Sequence, residues 1–399
     1  MNCSKTSNND NFAENQYNKM VNTPVSKLIT SLAIPTVISM LVTSIYNMAD
    51  TFFVSQISTQ ASAAVGVVFP IMSIIQAFGF TLGMGSGSLI SIRLGQKRNE
   101  EANVIVSTAF FTAIGIGFLI TILGIIFSTQ FLSLVGASNT ILPYAQDYAK
   151  YIFFGAPIMT ASFVLNNVLR SEGKAFFSMI GLTTGGILNI ILDPIFIYAL
   201  DLGISGAAIA TLCSQSISFL ILLTCFLKHK TVCHINIKLY SLKKEVLPKI
   251  VTTGFPSLSR QGLASISSIF LNTAAGSYGD AAIAGMSITT KIIMFVASVM
   301  IGIGQGFSPV SGYNYGAKRY DRVKQAYKFT LCAGSILMGS VAVVIFIFAR
   351  QIMNGFINDS QAVEIGVAAL RWQVAFIPFH PLIIGTNMLM QSTRHIKSA

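Results

Sequence analysis

The chain has 399 residues, 53% of them hydrophobic and only 10% charged. That is too little charge to cover a soluble fold of this size, and the formal net charge of +12 falls in short clusters between long apolar runs, so a nucleic-acid surface is excluded in favour of an all-α polytopic membrane protein. Cys3, Cys213, Cys225, Cys233 and Cys332 lack metal-ligand spacing, and no HExxH, phosphate-cradling loop or nucleophile elbow occurs, which removes a disulfide framework, a zinc site and an enzyme.

Residues 1–22 are polar and Asn-rich without an apolar signal region, so 1–27 is expected to be a disordered cytoplasmic tail. Ten apolar stretches follow, at 28–54, 61–90, 102–127, 144–169, 176–200, 205–227, 246–276, 281–311, 325–349 and 362–390. A span needs roughly 20 residues, so the longer ones tilt or protrude. The first six make an N-terminal lobe over 28–227, and 228–245 is a cytoplasmic linker. Residues 246–399 make a C-terminal lobe of four spans.

In the first span Thr43, Asn47 and Asp50 share one helix face, and Pro35 frees the carbonyl of Ser31 and sets a bend point. The second span carries Met72 and Met84, and the fourth begins near Lys150. In the fifth, Gly185 and Gly186 stand one turn before Asn189, which shares a face with Asp193. Pro194 then removes the donor for the carbonyl of Ile190. The sixth span places Gly206, Ala207, Ala208 and Ala210 before Thr211, and such small residues let helix backbones approach. The seventh and eighth carry Arg260 and Lys291, with Met286, Met294 and Met300. The last carries Arg371. Asn47, Met72, Met286 and Met294 are candidate cavity residues, since methionine repacks around varied ligands; lipid or core contact is the alternative.

Of 26 Lys and Arg, 21 lie on the loops of the N-terminal side and one, Arg350, on the opposite loops. This places the N-terminus in the cytoplasm, with lipid phosphate as the partner of the basic loops. The chain also matches itself at an offset of 219–221. Ala33-Ile34-Pro35 pairs with Gly254-Phe255-Pro256, Gly83 to Gly87 with Gly302 to Gly306, and Gly95-Gln96-Lys97-Arg98 with Gly316-Ala317-Lys318-Arg319. Lys150 pairs with Arg371; both are expected to snorkel or to bond within their lobes. Six spans separate the copies, so the two bundles are parallel repeats around a central cavity.

Twelve of 14 acidic residues lie in loops, the tail or span ends; Asp50 and Asp193 do not. An intramembrane carboxylate is costly and points to a task. With Asn189 and Thr211 these carboxylates form an all-oxygen set suited to a hard monovalent cation or a shared proton.

Asn47-Met48-Ala49-Asp50-Thr51-Phe52-Phe53-Val54, Leu169-Arg170-Ser171-Glu172-Gly173-Lys174 and Asn189-Ile190-Ile191-Leu192-Asp193-Pro194-Ile195-Phe196 resemble multidrug and toxic compound extrusion (MATE) transporters, over residues 28–399. The resemblance implies two six-helix bundles around a V-shaped cavity and export of cationic or amphipathic drugs and dyes in exchange for Na⁺ or H⁺ by alternating access. It implies that Asp50, Asn189, Asp193 and Thr211 form the Na⁺ or proton site, without a further cofactor, and that bending at Pro35 couples site and cavity. Some members place coupling carboxylates in the C-terminal lobe; this chain has none there. The expected setting is the plasma (inner) membrane, as a monomer, with drugs and lipids as partners and no nucleic acid.

Subtracting the offset sets Ala399 opposite Ser178, so the second copy lacks counterparts of 176–200 and 205–227. The chain is therefore expected to show six plus four of six plus six helices, leaving Ser265, Ser267 and Asn272 on exposed interhelical faces. The alternative function is a flippase for lipid-linked saccharides. That needs several Arg or Lys around a polyphosphate headgroup, whereas the acidic pair favours cationic cargo.

Overall fold

Most of the long helices are apolar on every side, as required where one face meets the core and the other meets lipid. The computed structural model describes residues 3–393 apart from 229, 242–244, 277 and 357–358; side chains at 3–10, 59, 261, 264–266, 268–269, 272–273, 276, 280 and 283–284 are not described. The predicted polar positions Ser265 and Asn272 thus lie outside the described side chains, and Ser267 is exposed.

The described chain is mostly helical, with short turns and a linker between the helices. In order come α1 (Cys3–Asn22), α2 (Val25–Ser55), α3 (Thr59–Gly95), α4 (Asn99–Ile126), α5 (Ser128–Leu134), α6 (Leu142–Ser171), α7 (Ala175–Pro194) and α8 (Gly203–Leu227). Then follow α9 (Val246–Gly276), α10 (Asp280–Gly316), α11 (Tyr320–Asn354), α12 (Ser360–Phe376) and α13 (His380–Ser392). Among the described residues nine segments are long and apolar enough to cross a membrane, and α9 fills the remaining predicted stretch. The protein is a multi-pass membrane protein. Outward-facing Phe118, Leu119, Ile122, Ile336, Val343 and Ile347 are exposed, as lipid contact requires.

Two spans are interrupted where proline removes a donor. Past Pro194 the fifth span widens into one π-helical turn, Ile195–Ala199, closed by the bond from Leu200 N–H to the Ile195 carbonyl at 2.9 Å. The tenth is broken by a 3₁₀ turn at Ile377–Phe379, between α12 and α13, where Pro378 and Pro381 crowd together. The first span, α2, by contrast, runs through Pro35 as a single element.

The N-terminal segment is not a disordered tail. Its residues 3–22 form α1, whose polar composition gave no span signal but whose last turn buries Met20 and Val21. α1 touches both lobes. Lys97 meets Glu14 at 2.9 Å, and Gln16 donates to the Glu172 carbonyl at 2.6 Å. From the second lobe, Arg319 donates to the Val21 carbonyl at 3.3 Å and Arg322 to that of Thr23 at 2.5 Å. The linker is tied down as well. The buried Glu172 carboxylate accepts the N–H groups of Val232 (2.8 Å) and Cys233 (2.9 Å), beside Lys174 at 3.8 Å. Burial pushes the Glu172 carboxyl up, while Lys174 and the two N–H donors pull it down.

The internal repeat extends to backbone conformation. Lys97 and Lys318, equivalent in the two copies, both adopt the left-handed region, at φ 59° and 60°. Each is followed by an arginine whose N–H caps the preceding helix, Arg98 to Arg93 and Arg319 to Asn314, at 2.9 and 2.8 Å. Short glycine contacts join the lobes in two repeat-related pairs. Gly302 and Gly306 of α10 lie against Val37 and Ala33 of α2, and Gly254 of α9 lies against Thr81 of α3. These contacts fall in the helix halves nearest the basic loops, so the lobes are closed on that side. One hydrophobic core runs through both lobes, and a second, around Val68, Ile75, Leu132 and Ile152, fills the far end of the first lobe.

Candidate functional site

Small residues on α7 and α8 bring three helices together. Gly185 faces Ser218 of α8, Gly186 faces Val42 and Tyr46 of α2, and Gly206 packs on the backbone of Phe196. Ser218 Oγ donates to the Gly181 carbonyl at 2.8 Å, fixing α7 against α8. Close backbones let short side chains meet. Asn189 Nδ2 donates to Asp193 Oδ1 at 3.1 Å and lies 3.3 Å from Thr211 Oγ1. Asp193, Asn189 and Thr211 are 0%, 2% and 6% exposed.

Asp50 approaches from α2. The contacts of Gly186 with Tyr46, and of the Tyr198 hydroxyl with the Phe53 carbonyl at 2.8 Å, set its stretch of α2 beside the end of α7. The packing of α2 on α7 brings the two carboxylate-bearing stretches together. Asp193 Oδ2, Asn189 Oδ1 and Asp50 Oδ1 are buried, and none has a hydrogen-bond partner among the described residues. Three orphaned oxygens on the packed helices α2 and α7 fit a hard cation or a proton better than a closed structural network. Among the described residues no group of three or more His, Cys, Asp or Glu side chains could hold a metal, so the donor set remains carboxylate, amide and hydroxyl.

Other predicted residues fall elsewhere. Asn47 is exposed on α2, and Thr43 is satisfied by the Ser39 carbonyl at 2.8 Å. Met72 and Met286 are half-buried and Met294 is exposed, while Met84 and Met300 are core residues. Lys150 lies near the Tyr151 ring and Arg371 over that of Phe346. Sequence reasoning missed Tyr46 and Tyr148. Tyr148 is fully buried beside Thr211, and Tyr46 stands one turn before Asp50 on α2. A tyrosine hydroxyl inside an apolar span, one turn from an acid in the case of Tyr46, was the available signal.

Two repeat-related helix lobes joined along glycine-rich seams, with a buried oxygen cluster inside the first lobe, define a membrane transporter and not an enzyme. The profile of the MatE family matches residues 35–195 and 256–399, and the chain belongs to that family. It is 28% identical over 371 residues to the multidrug export protein MepA of Staphylococcus aureus (strain N315), covering 93% of this chain and 82% of the relative. Among solved structures, a MATE protein in complex with MaL6 superposes with a TM-score of 0.91 at 30% identity, covering 96% of this chain and 86% of that one. An outward-facing multidrug resistance MATE family transporter gives a TM-score of 0.91 at 30% identity, over 95% and 85% of the two chains.

Proposed function

We propose that the protein is a secondary active multidrug exporter that exchanges cationic or amphipathic compounds for Na⁺ or H⁺. The observation that carries this reading is the unsaturated oxygen cluster at Asp193, Asn189 and Thr211, faced by Asp50. The ion is cargo here. Binding it lets the N-terminal lobe bias the two access states, and drug binding biases them the other way. Relatives named as multidrug exporters support the substrate class.

In this reading the basic loops are cytoplasmic, by their 21-to-one charge bias, in the plasma membrane. Lobes sealed on the basic-loop side then correspond to an outward-open state, in keeping with the likeness to an outward-facing relative. Asn47, Met72, Met286 and Met294 are the residues we assign to the drug-facing walls, and Pro35 and Pro194 to the helix adjustments that accompany switching. The transporter acts as a monomer.

The test is dye efflux from vesicles with imposed Na⁺ and pH gradients varied separately. Efflux that follows one gradient identifies the coupling ion. Uphill efflux without either gradient overturns the antiport reading.

A further inference from the structure

Arg170 stands in the last turn of α6, where a long basic side chain normally snorkels to water. It turns inward instead and is 4% exposed. Its guanidinium donates to Asn167 Oδ1 at 3.1 Å and, across the seam between the lobes, to Gln305 Oε1. Among the described residues Nε is buried without a partner. Among the described residues no carboxylate lies within ion-pair distance of it. Glu172, two residues on, is engaged by Lys174 and the linker N–H groups. A buried charge without a counter-charge is costly and is normally matched.

Beside the guanidinium the seam holds a small cavity of about 20 Å³, whose polar lining includes Ser88, Ser91 and Asn167 of the first lobe and Gln305 and Ser308 of the second, with Met84 and Pro309 completing its walls. The space takes one water-sized particle. It is too small for a phosphate ester or a drug. The internal repeat supplies a comparison within the same molecule. Arg170 is equivalent to Gln391, which is also buried but neutral. Its amide is satisfied by the Thr253 carbonyl at 2.8 Å and the Ser257 hydroxyl at 3.1 Å. The fold therefore does not require a charge at this position.

We infer that the seam at Arg170 is a binding site for a small monovalent anion of chloride size, built from both lobes. The guanidinium supplies the counter-charge, and the hydroxyls of Ser88 and Ser308 supply further donors, since that of Ser91 is committed to the Ser88 carbonyl. Because Gln305 and Ser308 come from the second lobe, the site exists only while the lobes are closed on the basic-loop side. The anion thus favours that state over the alternative.

The test is the unfolding midpoint of the purified full chain, titrated with potassium chloride or potassium bromide against potassium gluconate at constant ionic strength. Chloride and bromide should raise it saturably by about 2–4 °C, and gluconate should not. Arg170→Gln should abolish the difference. Should that variant fail to fold, Ser308→Leu fills the cavity while keeping the arginine and should abolish it too. Crystals grown in bromide should show anomalous density beside Arg170. An equal response to all three salts, a chloride response retained in either variant, or only water beside Arg170 at saturating bromide would overturn the proposal.

Discussion

Asn189 precedes Asp193 by one turn of α7 and donates to its Oδ1 at 3.1 Å, with the same amide nitrogen 3.3 Å from Thr211 Oγ1 on α8. One amide thus serves two oxygens on two helices. It orients the carboxylate without saturating it, because among the described residues Asp193 Oδ2 and Asn189 Oδ1 remain without donors. A purely structural polar pair in a buried site would be saturated.

Asp193→Asn should therefore abolish uphill export while leaving insertion and folding intact. Asparagine keeps the volume and the contact with Asn189, so packing is preserved. It removes the charge that captures a cation. One charge moving through 100 mV is worth about 2.3 kcal/mol, or roughly a 50-fold concentration ratio. The measurement is steady-state dye accumulation at matched expression, where the variant should fall to the passive distribution. Wild-type accumulation by Asp193→Asn would remove this residue from the coupling site.

The ten spans were legible because a run of about 20 apolar residues has few alternatives in a chain so poor in charge. Asp193 was legible for the same reason, since an acid in such a run stands out. The helix α1 was not. It is polar, and its two anchors, Met20 and Val21, are ordinary residues whose burial depends on Asn314 and Arg319 nearly 300 positions away. The short α5 was too brief to give a periodic signal. Tyr148 joined the site only through the packing of α6 on α8, which no local pattern announces.

Gly306 tests whether closure on the basic-loop side is required. A Cβ there would stand 2.6 Å from the backbone nitrogen of Ala33, a contact that backbone cannot yield without moving α10 off α2. Gly306→Leu should hold the seam apart, at a cost of about 1–3 kcal/mol to the closed state. Spin labels at Arg98→Cys and Lys318→Cys, on opposite sides of the seam, should report a longer distance in this variant. Dye binding should persist while export falls at least tenfold. An unchanged distance would show that the helices absorb the side chain.

Deleting residues 1–22 should loosen the same seam more gently. α1 reaches the first lobe through Glu14 and Gln16 and the second through the Val21 carbonyl, so it spans the gap that must widen for opening. The Lys97–Glu14 pair is exposed and contributes little. The burial of Met20 contributes about 2 kcal/mol. The truncated chain should therefore still fold, with a broader distance distribution between the same two labels. A distribution identical to the full chain would reduce α1 to a passive cover.

Pro35 offers the last test, on the bending of α2. Its ring removes the N–H that would bond the Ser31 carbonyl, yet α2 continues through it as one helix, with Thr36 donating to the Leu32 carbonyl at 2.7 Å and Ser39 to that of Pro35 at 2.9 Å. The proline thus lowers the resistance of this turn to bending without breaking it. It lies between the Ala33 and Val37 contacts with α10, while Asp50 lies some four turns further along the same helix, so a bend here changes the seam and the cation site together. Pro35→Ala restores the missing hydrogen bond and stiffens the turn. Dye affinity should stay within about twofold, since the drug-facing residues are untouched, and turnover should fall roughly tenfold, a barrier increase of about 1.4 kcal/mol, comparable with the net worth of one restored backbone bond. Efflux kinetics in vesicles, paired with equilibrium dye binding, separate the two effects. Turnover unchanged in Pro35→Ala would make the proline a packing feature of α2 and place the switching motion elsewhere.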